Sequence, residues 1–347
     1  MPVLCRPALA FPEHEITLAD TIAAARRLHP GHPHLERAVG LIEHTGVRTR
    51  RILQPLEETL RHPGVAARGE LYAGAVRRYL PGLVQAALGH AELTIGEVDA
   101  VVFVSCTGFS MPSPIVWMIN ELGLPASVRQ VPFAQLGCTA GGAAISTAAA
   151  HCRAYPDHNV LIVAFELCSL CYQPTDTDVG SLLSAGLFGD GFAAAVMRGH
   201  GRAGLQIERS AAYTIPGTAS WISYEVTESG YHFRLDSRVR TTIGGVAPSI
   251  ASLVDQVGWE VKKLDFAVAH AGGPRILDDL TRHLDIDPAM HQFSRQALGE
   301  HGNTASVLIF DALSRLYASD VASSGARGLI AGFGPGVSAD FSVGYFV

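Results

Sequence analysis

Val128-Arg129-Gln130-Val131-Pro132-Phe133-Ala134-Gln135-Leu136-Gly137-Cys138-Thr139-Ala140-Gly141-Gly142-Ala143 runs from a strand-like stretch, through a glycine-flanked cysteine, into small residues of helical character that continue to Ala150. The junction places Cys138 at a helix N-terminus, where the macrodipole and unpaired backbone N–H groups favour negative charge. Both favour the thiolate, the nucleophilic form of cysteine. Glycines on either side let a substrate approach the backbone closely. Taken alone, such a residue is more often a small buried cysteine packing helix on strand.

Two further segments supply partners for a thiol acyl carrier. Leu264-Asp265-Phe266-Ala267-Val268-Ala269-His270-Ala271-Gly272-Gly273-Pro274 reads as a short apolar strand ending on His270. Glu300-His301-Gly302-Asn303-Thr304-Ala305-Ser306 puts Asn303 at the opening of a helix that runs to Tyr317. A histidine can pair with a thiolate, and an amide can complete a donor pair for a developing oxyanion. Singly, a satisfied core histidine and an ordinary helix cap account for them equally well.

A faint duplication ties the three together. Val98-Asp99-Ala100-Val101-Val102-Phe103-Val104-Ser105-Cys106-Thr107-Gly108 repeats the pattern of the His270 strand: an acidic residue, an apolar run, then small residues ending in glycine. Ser105 precedes Cys138 by 33 positions, the separation that also divides His270 from Asn303. In each case a strand, a loop and a glycine-preceded polar residue opening a helix recur in order. Val160 to Phe165 followed by Gly189-Asp190-Gly191, and Leu329 to Gly336, continue the correspondence. It places Cys138 and Asn303 at pseudo-equivalent helix starts facing one cavity.

At 347 residues the chain exceeds the usual size of a single core, so two fused halves are expected. The polar, glycine-rich Gly199-His200-Gly201-Arg202-Ala203-Gly204 is the natural boundary, dividing it into 1–204, with the cysteine, and 205–347, with the histidine and asparagine. Hydrophobic residues make up 48% and mean hydropathy is +0.22, enough for a large core. Only 17% are charged, which suggests surface covered by a partner subunit. A net charge of −6 without any basic block argues against nucleic acid. Charges begin by Arg6, too early for a secretory apolar core, and Ala140 to Ala150 falls short of the ~20 residues that span a bilayer. Six cysteines in apolar contexts fit a reduced cytoplasm better than a disulfide framework. Cys168-Ser169-Leu170-Cys171 has a metal-site spacing but no second pair, and the fifteen histidines are scattered, so no metal is expected.

Residues 1–70 read as a helical lead-in with breaks at Pro30, Pro33, Pro55 and Pro63, and Tyr72 to Leu88 has helical periodicity. Strands at 99–105, 128–133, 159–166 and 192–198 then alternate with helices at 114–122 and 139–152. Further strands are expected at 205–213, 231–235, 266–270 and 328–332. The fold class is α/β with a central buried sheet system.

Cys138, His270 and Asn303 in these settings, with Leu187-Phe188-Gly189-Asp190-Gly191 and Gly332-Phe333-Gly334-Pro335-Gly336, resemble the chalcone synthase superfamily of type III polyketide synthases. The resemblance covers nearly the whole chain and implies a thiolase fold, a duplicated αβαβα architecture. Glu43-His44-Thr45-Gly46-Val47, Cys106-Thr107-Gly108-Phe109, Glu166 to Pro174, Trp221-Ile222-Ser223-Tyr224 and Ala271, where plant members usually carry proline, are similar to a bacterial branch. Members of that branch build a fused tetrahydroxynaphthalene from malonyl-CoA.

The resemblance implies an acyltransferase with no cofactor beyond its CoA thioester substrates. Cys138 would carry the growing acyl chain and His270 would stabilise its thiolate as an ion pair. With Asn303, His270 would hold the malonyl thioester oxygen while carbon dioxide leaves. Phe188 and Phe233 match gatekeeper aromatics between a CoA tunnel and the cavity. Cys106, Cys171, Tyr224 and Ala305 fall at cavity-shaping positions, and Tyr224 would bind a malonyl starter's carboxylate. Arg37, Arg48, Arg50 and Arg51 match a basic tunnel mouth, with Gly272 and Arg275 beside the pantetheine arm. Met111 matches a residue that crosses a homodimer interface to line the partner's cavity. Three other readings share these features: a synthase primed by a fatty acyl-CoA and releasing pyrones or resorcinols, a β-ketoacyl carrier-protein synthase III, and a non-catalytic scaffold subunit. Tyr224 with Cys106 and Cys171 favours the polar starter, the Phe188 and Gly332 to Gly336 motifs favour the polyketide synthase, and an intact triad disfavours the scaffold.

Overall fold

The computed structural model describes residues 1–61, 64–201 and 203–347; Pro63, an expected chain break, and Arg202, in the expected boundary, lie outside them. Up to residue 198 the elements are β1 (Val3–Leu4), β2 (Ala8–Ala10), β3 (His14–Thr17), α1 (Leu18–Leu28), α2 (Leu35–Glu43), β4 (Thr49–Ile52), the one-turn α3 (Leu56–Thr59), α4 (Val65–His90), β5 (Ala100–Val104), α5 (Pro114–Leu122), β6 (Arg129–Phe133), α6 (Ala140–Ala154), β7 (Asn159–Leu167), α7 (Val179–Leu187) and β8 (Asp190–Arg198). There follow β9 (Leu205–Thr214), β10 (Ile222–Thr227), β11 (Gly230–Leu235), α8 (Ile243–Asp255), β12 (Phe266–Ala269), α9 (Pro274–Leu284), α10 (Gln292–His301), α11 (Leu308–Tyr317), β13 (Arg327–Gly334) and β14 (Ser338–Phe346).

Local chemistry sets several boundaries. Ser113 caps α5 by accepting the Ile115 N–H, Pro114 occupies the first turn, and Gly123 ends the helix in the left-handed region. Thr17 and Asp20 form a reciprocal capping box that starts α1. Pro132 sits in β6, which pairs with β5 alone, an edge position that tolerates its missing N–H.

The main sheet runs β12-β13-β14-β9-β1-β8-β7-β5-β6, with β2 beside β8. From one end, β5 pairs parallel with β7, β7 antiparallel with β8, and β8 antiparallel with β1. From the other, β12 pairs parallel with β13, β13 antiparallel with β14, and β14 antiparallel with β9. The two series meet where β1 pairs with β9, so the order repeats about a pseudo-two-fold between them.

Helix α6 packs on β5, β7 and β8 on one side and on β9, β13 and β14 on the other. Helix α11 lies against α6 and also touches both series of strands, so the two helices form a central layer. Helices α4 and α5 cover the outer face of the first series; α8, backed by α9, covers the second. This is the αβαβα order expected of a thiolase fold. Strand periodicity partitions the core accordingly: Ala100, Val102 and Val104 face inward, while Val101 and Phe103 face the α4 side, and β7 and β8 alternate in the same way. Phe165 and Phe192 stack there at 4.0 Å between centroids, each burial contributing roughly 2–3 kcal/mol.

The lead-in differs from its expected helical reading. Besides α1, α2 and α3 it contributes four short strands, two of which join the main sheet. Such strands carry too few residues for a period-2 signal; pairing with β8 and β9 makes β1 and β2, and β3 and β4 pair with each other. The helix at Tyr72 to Leu88 extends over the whole of α4, through Pro81. Among the described residues no helix is long and apolar enough to cross a membrane.

Candidate active site

Three turns converge above the central layer. Cys138 is the middle residue of the 3-10 turn Gly137–Thr139 that leads from β6 into α6. His270 follows β12 directly, its backbone held by donation of its N–H to Ala331 O at 2.8 Å. Asn303 follows α10, but does not open a helix: an irregular residue and the 3-10 turn Ala305–Val307 intervene before α11. Its main chain forms a bridge with Phe188, donating to Leu187 O at 2.9 Å and accepting the Gly189 N–H at 3.1 Å. The approach is close enough to demand glycine. A Cβ on Gly302, which has φ +71°, would stand 2.7 Å from Leu187 O, and one on Gly189 would stand 2.3 Å from His301 O. The Phe188-Gly189-Asp190-Gly191 turn therefore fixes the Asn303 backbone from the other half of the sheet.

Ala305 N–H donates to Asn303 Oδ1 at 2.9 Å, and that fixed donor orients the amide. His270 Nε2 stands 3.0 Å from the same oxygen, so it carries the proton and donates. Asn303 Nδ2 makes no hydrogen bond within the protein among the described residues and remains a donor for a ligand. His270 Nδ1 is buried without a partner. Burial pushes the imidazole down to about 4, against the partial support of the Asn303 bond.

Cys138 is half-buried, and desolvation, with repulsion from the Glu166 carboxylate, pushes its thiol up to about 12; backbone donation at the turn offsets only part of this. Burial thus favours the neutral form of both groups. Desolvation of both groups and the nearby Glu166 carboxylate work against the expected thiolate–imidazolium pair, while the helix terminus works for it. No hydrogen bond joins Cys138 to His270 among the described residues.

Glu166, near the end of β7, is a functional residue that the sequence motifs do not single out. It is fully buried, accepting bonds from Cys106 N–H (3.0 Å), Thr107 Oγ1 (2.8 Å) and Ser306 Oγ (2.6 Å), with Cys106 Sγ at 3.5 Å. It ties both sheet halves together behind Cys138, and burial raises its pKa. An acid inside the apolar run Asn159–Leu167 was the available signal.

Cys138, His270 and Asn303 wall a cavity of about 910 Å³, mouth included, together with Cys106, Gly272 and Ala305. Phe188 and Phe233 stand on its boundary with their rings 5.3 Å apart and perpendicular, and Tyr224 packs on Phe233 at 5.8 Å. Tyr224 and both phenylalanines also border a second, largely apolar chamber reached past Leu28 and His29. Cys171 lies in that second chamber, its thiol pushed up to about 12 by burial. The cavity-shaping set is thus divided between two compartments.

The arginines separate by burial. Arg50 is 6% exposed and donates to Ala185 O (2.6 Å), Phe188 O (2.7 Å) and Thr21 Oγ1 (2.8 Å), so it cannot stand at a CoA mouth. It satisfies the carbonyls at the end of α7, a buried cation whose pKa desolvation lowers to about 10. Arg51 is tied to Glu15 at 2.7 Å and to Glu13 O. Arg37, Arg48 and Arg275 are exposed, the last two within 3.5 and 3.7 Å of Glu300 and Asp279. Met111 is 85% exposed and lines neither cavity of its own chain.

Residues 43–201 match the family model for the N-terminal domain of chalcone and stilbene synthases, and residues 206–343 that for the C-terminal domain. The chain is 53% identical over 344 residues to 1,3,6,8-tetrahydroxynaphthalene synthase of Streptomyces coelicolor, covering 99% of this chain and 92% of that protein. It is 39% identical to phloroglucinol synthase of Pseudomonas fluorescens, covering 99% of each. The crystal structure of the Streptomyces coelicolor tetrahydroxynaphthalene synthase, a bacterial type III polyketide synthase, superposes with a TM-score of 0.97 over 99% of both chains.

Proposed function

The chain belongs to the chalcone and stilbene synthase family, and from that premise we propose that it condenses five malonyl-CoA units, as starter and extenders, into 1,3,6,8-tetrahydroxynaphthalene. The observation that carries the reading is the buried wall of Cys138, His270 and Asn303 on one cavity that ends at Tyr224. Near full-length likeness to synthases of that name supports the product.

Cys138 attacks the thioester carbonyl of the starter while the neutral imidazole of His270 takes the thiol proton. Proton transfer concerted with attack avoids paying for two buried charges beforehand. CoA thiolate leaves, taking up a proton, and the acyl group stays on sulfur. A second malonyl-CoA then places its thioester oxygen at Asn303 Nδ2 and at the His270 Nε2–H, a donor it shares with Asn303 Oδ1. Loss of carbon dioxide leaves an enolate whose oxygen these donors stabilise. Its carbon attacks the Cys138 thioester and expels the Cys138 thiolate, so the lengthened chain is left on CoA; the chain then returns to Cys138 as CoA leaves again. Phe188 and Phe233 keep water from the enolate. Tyr224 offers its hydroxyl to the starter's carboxylate. Four such extensions give a pentaketide thioester. Claisen closure expels the thiol, and aldol closure with loss of water, together with loss of the starter's carboxyl as carbon dioxide, leaves the tetrahydroxynaphthalene.

Arg37, Arg48, Arg51 and Arg275, with Gly272, frame the route for the CoA moiety. The enzyme needs no metal or cofactor and works as a homodimer in the cytoplasm, Met111 completing the partner's cavity. The chain comprises two halves, 1–204 and 205–347, that contribute nucleophile and donors respectively. A fatty acyl starter, giving alkylpyrones or alkylresorcinols, is the second reading, favoured by the apolar chamber beyond Tyr224.

Purified enzyme incubated with malonyl-CoA alone should yield tetrahydroxynaphthalene, or its air-oxidised quinone flaviolin, by mass spectrometry, and Cys138→Ala should yield none. Pyrones or resorcinols appearing only when a long acyl-CoA is added would overturn the malonyl starter and leave the family intact.

A further inference from the structure

The β10–β11 hairpin has two faces of opposite character. Tyr224 and Phe233 pair across it and face the cavity, as do Ile222 and Leu235. Strand alternation turns Glu225, His232 and Arg234 to the other side. There His232 is 7% exposed and engaged at both nitrogens. Its Nδ1 lies 2.9 and 2.8 Å from the two Asp176 carboxylate oxygens, and its Nε2 lies 3.0 Å from Thr227 Oγ1 and 2.7 Å from Ser229 Oγ. The carboxylate accepts from Nδ1–H, which leaves Nε2 to accept from the hydroxyls.

Neighbouring contacts reinforce this attachment. Gln173 Nε2 donates to Ser229 O and Tyr231 O, at 3.1 Å each. Arg234 binds Glu225 at 2.9 Å and stands 3.8 Å from Asp178. Gln173, Asp176 and Asp178 all belong to the loop that leads into α7, and Phe188 is the residue that ends α7. One side of the attachment therefore carries Phe233 and Tyr224, and the other side carries Phe188.

The connectivity Ser229–His232–Asp176 is that of a hydrolytic triad. Ser229 and Thr227 line neither cavity, however, and converge on one ring nitrogen at the hairpin tip. We propose that His232 and Asp176 are positioning residues that fasten the β10–β11 hairpin to the lead-in of α7 and so set the gap between Phe188 and Phe233 that governs polyketide length. The proposal rests on the reading of those rings as the cavity's gate.

His232→Phe keeps the ring volume and loses both attachments, while His232→Asn keeps a donor where Nδ1 stood. With malonyl-CoA, His232→Phe is expected to lower the pentaketide share of product at least about tenfold in favour of shorter lactones, since small misplacements at a reacting centre are costly. Release of carbon dioxide from malonyl-CoA, which needs only His270 and Asn303, should stay within about twofold of the parent. Alkylation of Cys138 by N-phenylmaleimide, followed by mass spectrometry, should accelerate about fivefold as the gate loosens. His232→Asn should restore the parent pattern in all three. Parent-like product ratio and alkylation rate in His232→Phe would overturn the proposal, as would an equal fall in every activity that His232→Asn shares. Should the parent make no pentaketide, the functional reading fails, and the alkylation rates alone decide the attachment.

Discussion

Two stretches of the chain travel the same distance to opposite ends. From β5 to the Cys138 turn the chain forms a helix, α5, and then an edge strand, β6. From β12 to Asn303 it forms a helix, α9, and then a second helix, α10, with no strand in the place of β6. Strand β6 is largely exposed, and Phe109 and Met111 on the same route are among the most exposed apolar residues of the molecule. Helix α10 instead buries Phe293, Ala297 and Leu298. The donors His270 and Asn303 are correspondingly encased, whereas Cys138 opens to the cavity. Donors aimed at a developing charge must not reorganise, but a nucleophile that hands a lengthening chain back and forth needs room. The stretch that carries the donors is thus packed tightly, and the one that carries the nucleophile is packed more openly.

The sharpest way to break that comparison is to silence each stretch separately. Cys138→Ala is expected to lower polyketide formation by at least about 10³ while decarboxylation of malonyl-CoA persists. Asn303→Ala should reverse the pattern, slowing decarboxylation about 10²–10³-fold, or ~3–4 kcal/mol, with Cys138 still open to alkylation. Decarboxylation that follows Cys138 instead of Asn303 would dissolve the division of labour.

Next in size is the brace behind Phe188, the residue whose main chain bridges to Asn303. Arg50→Ala strips the partners from Ala185 O and Phe188 O and should destabilise the fold by about 3 kcal/mol in urea titration, and Arg50→Lys should recover little of it. A CoA-binding residue would change KM and leave stability alone.

Acid response should also divide the molecule. His270 and His291, both in the second stretch, are pushed down to about 4 by burial. An unfolded histidine titrates near 6.5, so each contributes stability that is complete above that pH and is lost as pH falls toward 4. Asp190 and Asp340, raised to about 6, act in the opposite sense, favouring the fold as pH falls from 6 toward 4. Because these terms overlap, the test is a difference: between pH 7 and 5 the parent should lose about 2 kcal/mol more than His291→Gln, which keeps a donor for Ala267 O. Equal slopes would remove His291 from the account. The smallest effect belongs to the surface: Arg275→Ala should raise KM for malonyl-CoA by about threefold with kcat unchanged, as expected of a solvated charge.

The apolar runs of β5, β7, β8 and β13 were legible because strands covered on both faces need apolar residues at every position, and α5 was legible to the residue because serine, proline and glycine mark its ends. Cys138, His270 and Asn303 were legible as polar or reactive groups within two places of a glycine at matching separations, and the gatekeeper and pocket residues only through the family resemblance. Helix α10 and strand β14 were not anticipated: α10 has little apolar periodicity, and β14 mixes serine and glycine into its run.

What sequence by itself determined was which residues have the chemistry to act, and in what order they come. Covalent identity places a thiol, an imidazole and an amide beside glycines wherever the chain goes. Only the tertiary structure decided their state and company. Desolvation, set by everything packed around a group, pushes Cys138 and His270 toward their neutral forms. The same burial turns Arg50 from a surface phosphate binder into an internal brace and assigns Glu166 its place behind the nucleophile. Burial is a property of the whole assembled chain, and no window of sequence contains it.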